Sequence, residues 1–525
     1  MDLVSRRSAV LEPGADQLDH LCLAHGTIRG KYTSNPRHIL IQFQGKHLID
    51  CLCFQALWNS QGPNVGATVS AALELQCSHA NVAFAMARGG SRRFGKVWTA
   101  QPSGWGYGPT TEGCGPLTCT PKGSAGPVHR GCTPAEMSAG ATCSGAEASH
   151  SYSWYWRIWL HTWFAGAAKL TEEGPAMGVF CGFTGSSCAV CDPSRDFLID
   201  PAAGVGLTRH GMQAQTVLAT ARSKDRGTPL MPLGVVVDLY MGYAAGIGPS
   251  SNHWNVLPMS ARDQAFDYLL HKQLYVPSGL PDEELKVTPH GEIADIMLSD
   301  SSPDYLALYP VLLLVGEQDF NATGDGGTTL AARLLAALKT ETCTELLLQQ
   351  YHVDSMPGQD WASLNATGKA RVVAPSPGTG SKQVPAISDG DLSAIGAKHL
   401  PVVVANITFG EQTPTPAILW QVNAQKDGGF VIELSNEYGV EKLPCAPMSV
   451  NPKGAATVTL QVNKAASGAT EWITGAVLHK GAVAAGSLLT VMVPPGNTSF
   501  VAFGAQVSQE RERERDVRHT PVESL

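Results

Sequence analysis

The chain has 525 residues, of which 43% are hydrophobic and only 16% charged, and a net charge of -8. That length calls for about two to four domains, because single cores stop growing at roughly 250 residues. The acidic balance offers no electrostatic footprint for nucleic acid, and no run approaches the roughly 20 apolar residues of a membrane-spanning helix.

Residues 1–60 show little periodicity and stay unassigned. Their opening, "MDLVSRRSAVLEPGADQ", has basic residues but no apolar stretch behind them, which is not the form of a secretion leader. Over residues 61–226 strands and helices alternate. "GATVSAALEL" reads as a buried strand, and "HANVAFAMARGGSRRFG" spaces Val82, Ala85, Met86 and Phe94 helically up to Gly95. "KVWTAQPSGWGYG" is a second strand running into an aromatic loop. A Gly-, Thr-, Ser- and Cys-rich insertion over residues 108–148 reads as a surface excursion. "SYSWYWRIWLHTWFAGA" then sets Trp156, Trp159 and Trp163 on one helical face, where packing is the expected role. The strand "KLTEEG" and the helix "LTRHGMQAQTVLATARSKDR" follow. Such alternation implies parallel strands with helical crossovers, as in a partial or complete (β/α)8 barrel.

A second α/β unit occupies residues 227–384, with "GVVVDLY", "GEIADIMLSD" and "YPVLLLVGE" as apolar strands and "GTTLAARLLAALKTET" as a helix. It reads as a doubly wound, flavodoxin-like sheet that packs against the barrel or another subunit. Residues 385–508 alternate polar and apolar residues in short runs such as "AILWQVNAQ", "GFVIELSNEYG" and "ATVTLQVNK", the pattern of a β-sandwich. The tail, residues 509–525, is a solvated run of mixed charge.

Sequons stand at Asn321, Asn365, Asn406 and Asn497, and seven of the 13 cysteines crowd into residues 114–191. Both features point to an extracellular or secretory setting. "CAVC" has metal-site spacing but no second ligand pair, so disulfides or free thiols fit these cysteines better than a metal. No Gly-rich loop followed by Lys and no GxSxG elbow occurs, which leaves nucleotide binding and a serine triad unsupported.

The runs "LELQCSHANVAFAMARGGSRRFGKVW", "HSYSWYWRIWLHTWFAGAAKLTEEG", "DRGTPLMPLGVVVDLYMGY" and "TPHGEIADIMLSD", with the closing "WQVNAQKDGGFVIELSNEYGVEK", resemble in their order bacterial glycoside hydrolases of β-galactosidase type. The resemblance covers residues 66–505 and implies a catalytic (β/α)8 barrel, a flavodoxin-like trimerisation-type domain and a C-terminal β-sandwich. It further implies a β-linked, galactose-containing saccharide as substrate, no cofactor, and a homo-oligomer formed through the flavodoxin-like domain. Three strand-helix pairs are countable where a barrel needs eight. Two readings therefore stand: a hydrolase, or a non-catalytic carbohydrate-binding or structural remnant of one.

Glycoside cleavage needs two carboxyl groups about 5 to 5.5 Å apart for retention or about 6.5 to 9.5 Å for inversion. Glu74 ends its strand, and Glu172 and Glu173 end another, with only "KVWTAQ" between the two strands. Alternate strands share a layer of a barrel, and successive residues face opposite sides, so only one of Glu172 and Glu173 points inward. We assign Glu173 as nucleophile or base and Glu74 as general acid. The plainer role for such acids is to cap a helix or to pair with an arginine such as Arg88 or Arg157. Trp98, Gln101, Trp105, Tyr107, His150 and Glu172 are the expected substrate-lining residues, because sugars present apolar faces beside hydroxyls.

Overall fold

The computed structural model describes residues 68–73, 80–95, 97–102, 110–112, 118–124, 126–128, 131–145, 151–170, 179–182, 191, 197–238, 263–280, 285–324, 327–373, 387–443 and 445–505. Strand β1 (Thr68–Leu73), helix α1 (Ala80–Phe94) and strand β2 (Val97–Pro102) form the first strand-helix-strand unit. The insertion is more than a loop. It holds β3 (Thr110–Glu112), β4 (Thr118–Thr120), the short helix α2 (Pro134–Ser138) and β5 (Thr142–Gly145), in a sheet ordered β3-β5-β4. Thr133 caps α2 in a reciprocal capping box with Glu136.

Helix α3 (Tyr152–Phe164) starts at Ser151, whose hydroxyl accepts from Trp154 N–H at 2.9 Å, and leads into β6 (Lys169–Leu170). β2 is central, with β1 and β6 parallel on either side of it. Among the described residues this sheet has three strands. A small antiparallel sheet of β7 (Phe180–Cys181), β8 (Phe197–Asp200) and β9 (Val205–Leu207) precedes α4 (Arg209–Ser223), capped by Thr208.

The 227–229 segment, at the start of the second unit, supplies β10 (Thr228–Pro229), which pairs with a strand of the C-terminal sheet described below. Next come β11 (Leu233–Val237), β12 (Ala294–Leu298), β13 (Val311–Val315), β14 (Glu345–Leu348) and β15 (Ala370–Val372). All pairs are parallel in the order β12-β11-β13-β14-β15, the 2-1-3-4-5 order of flavodoxin-like sheets. Every residue of β11, β12 and β13 is buried, which explains their unbroken apolar runs. α1 covers one side of this sheet, and Gly89 permits the approach: a Cβ there would lie 2.1 Å from the Ile296 carbonyl oxygen.

The C-terminal strands are β16 (Val402–Phe409), β17 (Leu419–Ala424), β18 (Phe430–Ser435), β19 (Val440–Glu441), β20 (Ser449–Val450), β21 (Ala456–Val462), β22 (Ala469–Glu471), β23 (Val477–His479), β24 (Leu488–Val493) and β25 (Thr498–Phe503). They make two larger antiparallel sheets, β10-β17-β18-β25-β22-β23 and β16-β21-β24, and the pair β19-β20. Ile432, Leu434, Val501, Val458, Leu460 and Val493 from the two larger sheets share one apolar core. The outer face of β18 is not solvated, because α3 lies across it. Trp159, Leu160 and Phe164 share a second core with Leu419, Val431 and Phe500. The carbonyls at the end of α3 are closed by Arg226, which reaches Trp163 O at 2.6 Å and Gly166 O at 2.9 Å, and by Asn423 on Phe164 O at 2.8 Å.

Candidate functional site

The C-terminal ends of β1, β2 and β6 lie at one edge of their sheet, the edge at which strand-helix folds build active sites. Glu74 follows the last residue of β1, and Glu172 and Glu173 follow Leu170 of β6 by two and three positions. Glu74, Glu172 and Glu173, together with Trp105, Tyr107 and His150, lie outside the described residues. The backbone of Gln101 pairs with Ala72 within β2 and β1.

Trp98 does not line an open cleft. It is 3% exposed, with its ring centroid 5.2 Å from that of Phe84 on α1. The α3 tryptophans pack as expected. Trp159 is buried, Trp163 stacks on Trp472 at 5.7 Å, and Trp156 donates from Nε1 to Asn497 Oδ1 at 2.9 Å.

A dense group of ionisable side chains among the described residues lies elsewhere, where the three parts of the chain meet. Arg88 of α1 donates to Glu292 and Asp295, both at 2.9 Å, and to the Ala294 carbonyl at 3.1 Å. Arg92, one turn on, reaches Asp295 at 2.7 Å, and Tyr309 donates its hydroxyl to the same carboxylate at 2.8 Å. His161 of α3 joins the remaining acids: Nδ1 is 2.9 Å from Glu433 of β18, and Nε2 is 3.3 Å from Glu292. Arg157, one turn earlier, pairs with Glu437 at 2.8 Å.

Charge balance governs this cluster. Three cations (Arg88, Arg92, His161) face three acids (Glu292, Asp295, Glu433) only if His161 is protonated. Burial alone would strip its proton, but Glu433 and Glu292 outweigh burial and raise its pKa to about 10. Burial likewise opposes ionisation of Glu292, and Arg88 and His161 overcome it and hold this carboxyl below its ordinary range. Glu433 is the weaker acid. Burial pushes it up, and His161 offsets that only in part.

Glu292, Asp295 and Glu433 are 0 to 1% exposed, so they are closed to a saccharide. The arrangement joins α1, the doubly wound sheet and the C-terminal sheet and cannot act on substrate as it stands. Arg88 and Arg157, offered as partners for the strand-end acids, pair with Glu292, Asp295 and Glu437 of the later parts of the chain. Sequence reasoning missed His161, Glu292, Asp295 and Glu433, since partners 131 to 272 residues apart leave no local pattern.

The cysteines form disulfides: Cys119 with Cys132, Cys181 with Cys191, and Cys143 with Cys445, a residue 302 positions away. Cys114 and Cys188 lie outside the described residues, and Cys343 is a buried free thiol. A groove of about 390 Å³ between the β17–β18 turn and β22–β23 is lined by Gln425, Asp427, Thr470, Trp472 and His479. No helix among the described residues is long and apolar enough to cross a membrane.

The described residues thus define a three-part α/β protein: a parallel strand-helix unit, a doubly wound sheet and two antiparallel sheets with a common core. No protein-family model and no curated protein sequence matches the chain. Among solved structures, the apo exo-carrageenase GH42 of Bacteroides ovatus aligns at 10% identity with a TM-score of 0.30, over 68% of this chain and 40% of its own length. A protein of Bacillus halodurans C-125 with the provisional name alpha-N-acetylgalactosaminidase aligns at 9% identity with a TM-score of 0.15, over 81% of this chain and 78% of its own. The chain spans less than half of the first of these. Both likenesses are too faint to bear on its fold or its activity.

Proposed function

We propose that the chain is a glycoside hydrolase-like protein that cleaves a β-linked, galactose-containing saccharide, with Glu74 as general acid and Glu173 as nucleophile or base. The observation that carries this reading is the sheet order β1-β2-β6 with all strands parallel. Strands lie about 4.8 Å apart, so the ends of β1 and β6 stand roughly 10 Å apart on one edge, and glycoside cleavage uses carboxyl groups about 5 to 9.5 Å apart.

The test is hydrolysis of a p-nitrophenyl β-galactoside and of a β-galactan by the full chain, its E74Q variant and its E173Q variant. Each substitution should lower turnover by about 10²- to 10⁴-fold with the urea midpoint unchanged. A variant that keeps the wild-type rate removes its residue from the assignment.

A second reading, a non-catalytic carbohydrate-binding remnant, is favoured by the strand count: three parallel strands among the described residues, against eight in a closed barrel. Saccharide binding by the wild-type chain without turnover would select it.

A further inference from the structure

We propose that Cys119, Cys132, Cys143 and Cys445 form a thiol-exchange site, at which a small monothiol such as glutathione converts the observed pairing into a second one, Cys119–Cys143 and Cys132–Cys445. The Sγ atoms of Cys132, Cys143 and Cys445 all lie within 4.8 Å of one another, and Cys119 is already bonded to Cys132. In the β4–β5 pair Cys119 stands directly opposite Cys143. Directly opposed antiparallel residues have Cα atoms about 4.5 to 5.5 Å apart, within the about 4.4 to 6.8 Å that a disulfide spans. The first half of the second pairing therefore fits the strand register, and the second half joins two sulfurs that already lie within 4.8 Å of each other.

The exchange balances in three steps. Cys132, at 6% exposed, is the most accessible of the four residues, the other three being at 0%. The external thiolate attacks its Sγ, forming a mixed disulfide and expelling the Cys119 thiolate. Glu136 Oε2 lies 3.9 Å from Cys119 Sγ. Cys119 then attacks Cys143 across the strands, breaking the Cys143–Cys445 bond and releasing Cys445 as thiolate. The Cys132 backbone N–H donates to Cys445 Sγ at 3.1 Å, a hydrogen bond that favours Cys445 as the leaving group. Finally Cys445 attacks Cys132 in the mixed disulfide and returns the external thiolate. No electrons are gained or lost overall.

Cys445 is the one non-glycine residue with positive φ (56°) among the described residues, and it sits in the connection between β19 and β20. Its release in the middle step detaches the insertion, which leaves the sheet after β2, from the C-terminal strands. The exchange moves the point of attachment from β5 to the segment before α2.

Incubation of the oxidised full chain with low-millimolar reduced glutathione, acid quenching and non-reducing peptide mapping tests this. Peptides joining Cys119 to Cys143 and Cys132 to Cys445 should grow in together to a fixed ratio. In C119S, the freed Cys132 should attack its neighbours without added thiol and yield Cys132–Cys445 or Cys132–Cys143 peptides. Recovery of only the original pairs from the wild-type chain, with only Cys143–Cys445 from C119S, overturns the proposal.

Discussion

Replacing His161 by phenylalanine removes the one cation among the described residues that Glu433, the C-terminal sheet's buried acid, has for a partner. Glu433 Oε1 has no hydrogen bond among the described residues, so loss of His161 would leave this carboxyl with none there, at 0% exposure. Removing one member of a buried pair costs about 3 to 5 kcal/mol. The pKa rise of His161 from 6.5 to about 10 gives a similar size, about 5 kcal/mol at 1.36 kcal/mol per unit, less what the raised Glu433 takes back. Because the folded pKa is the higher one, the stabilisation is complete below about pH 6.5, declines above it and is gone once pH passes about 10.

Urea unfolding followed by tryptophan fluorescence at pH 6, 7.5 and 9 measures all of this. H161F should lose about 3 to 5 kcal/mol at pH 6, and the double variant H161F/E433L should recover most of it, since both polar partners are then gone. The wild type should lose stability from pH 6 to 9, and the double variant should lose less. A double variant as unstable as H161F, or a cost below about 1 kcal/mol in H161F, would refute the reasoning.

Two further variants probe single positions. His210 is buried against Tyr155 and Trp159, with neither ring nitrogen hydrogen-bonded among the described residues, and burial lowers its pKa to about 3. A depressed pKa on a base means stability lost as pH falls from about 6.5 toward 3, so H210F should raise the urea midpoint and flatten its decline between pH 6 and 4. Gly291 has φ +84°, and a Cβ there would lie 2.7 Å from the Trp420 ring, so G291A should cost more than about 1 kcal/mol in the same assay. An unchanged midpoint would show that Trp420 yields.

The doubly wound sheet was legible because its strands are buried on both faces and its helices carry plain caps, such as Thr329 accepting from Ala332 N–H at 3.3 Å. The α3 tryptophans were legible as packing residues for the same local reason, a 3.6-residue period. Glu433 was not. In "GFVIELSNEYG" strict alternation puts it on the solvated face, yet all of β18 is buried because α3 covers that face. Burial imposed by a distant helix has no local signature. The insertion read as a surface excursion because its order comes from disulfides, one of them closing over 302 residues. The candidate acids were legible only as positions following strands, and Glu74 and Glu173 lie outside the described residues.

The junction around His161 bears on how relatives of this chain would be compared. Arg88, His161, Glu292, Asp295 and Glu433 answer one another's charges across three parts of the molecule. Purifying selection for folding alone would hold them fixed together in any alignment, whatever the activity of the lineages it was drawn from. Invariance at those five columns would then report on assembly, and evidence of a functional site would have to come from other columns.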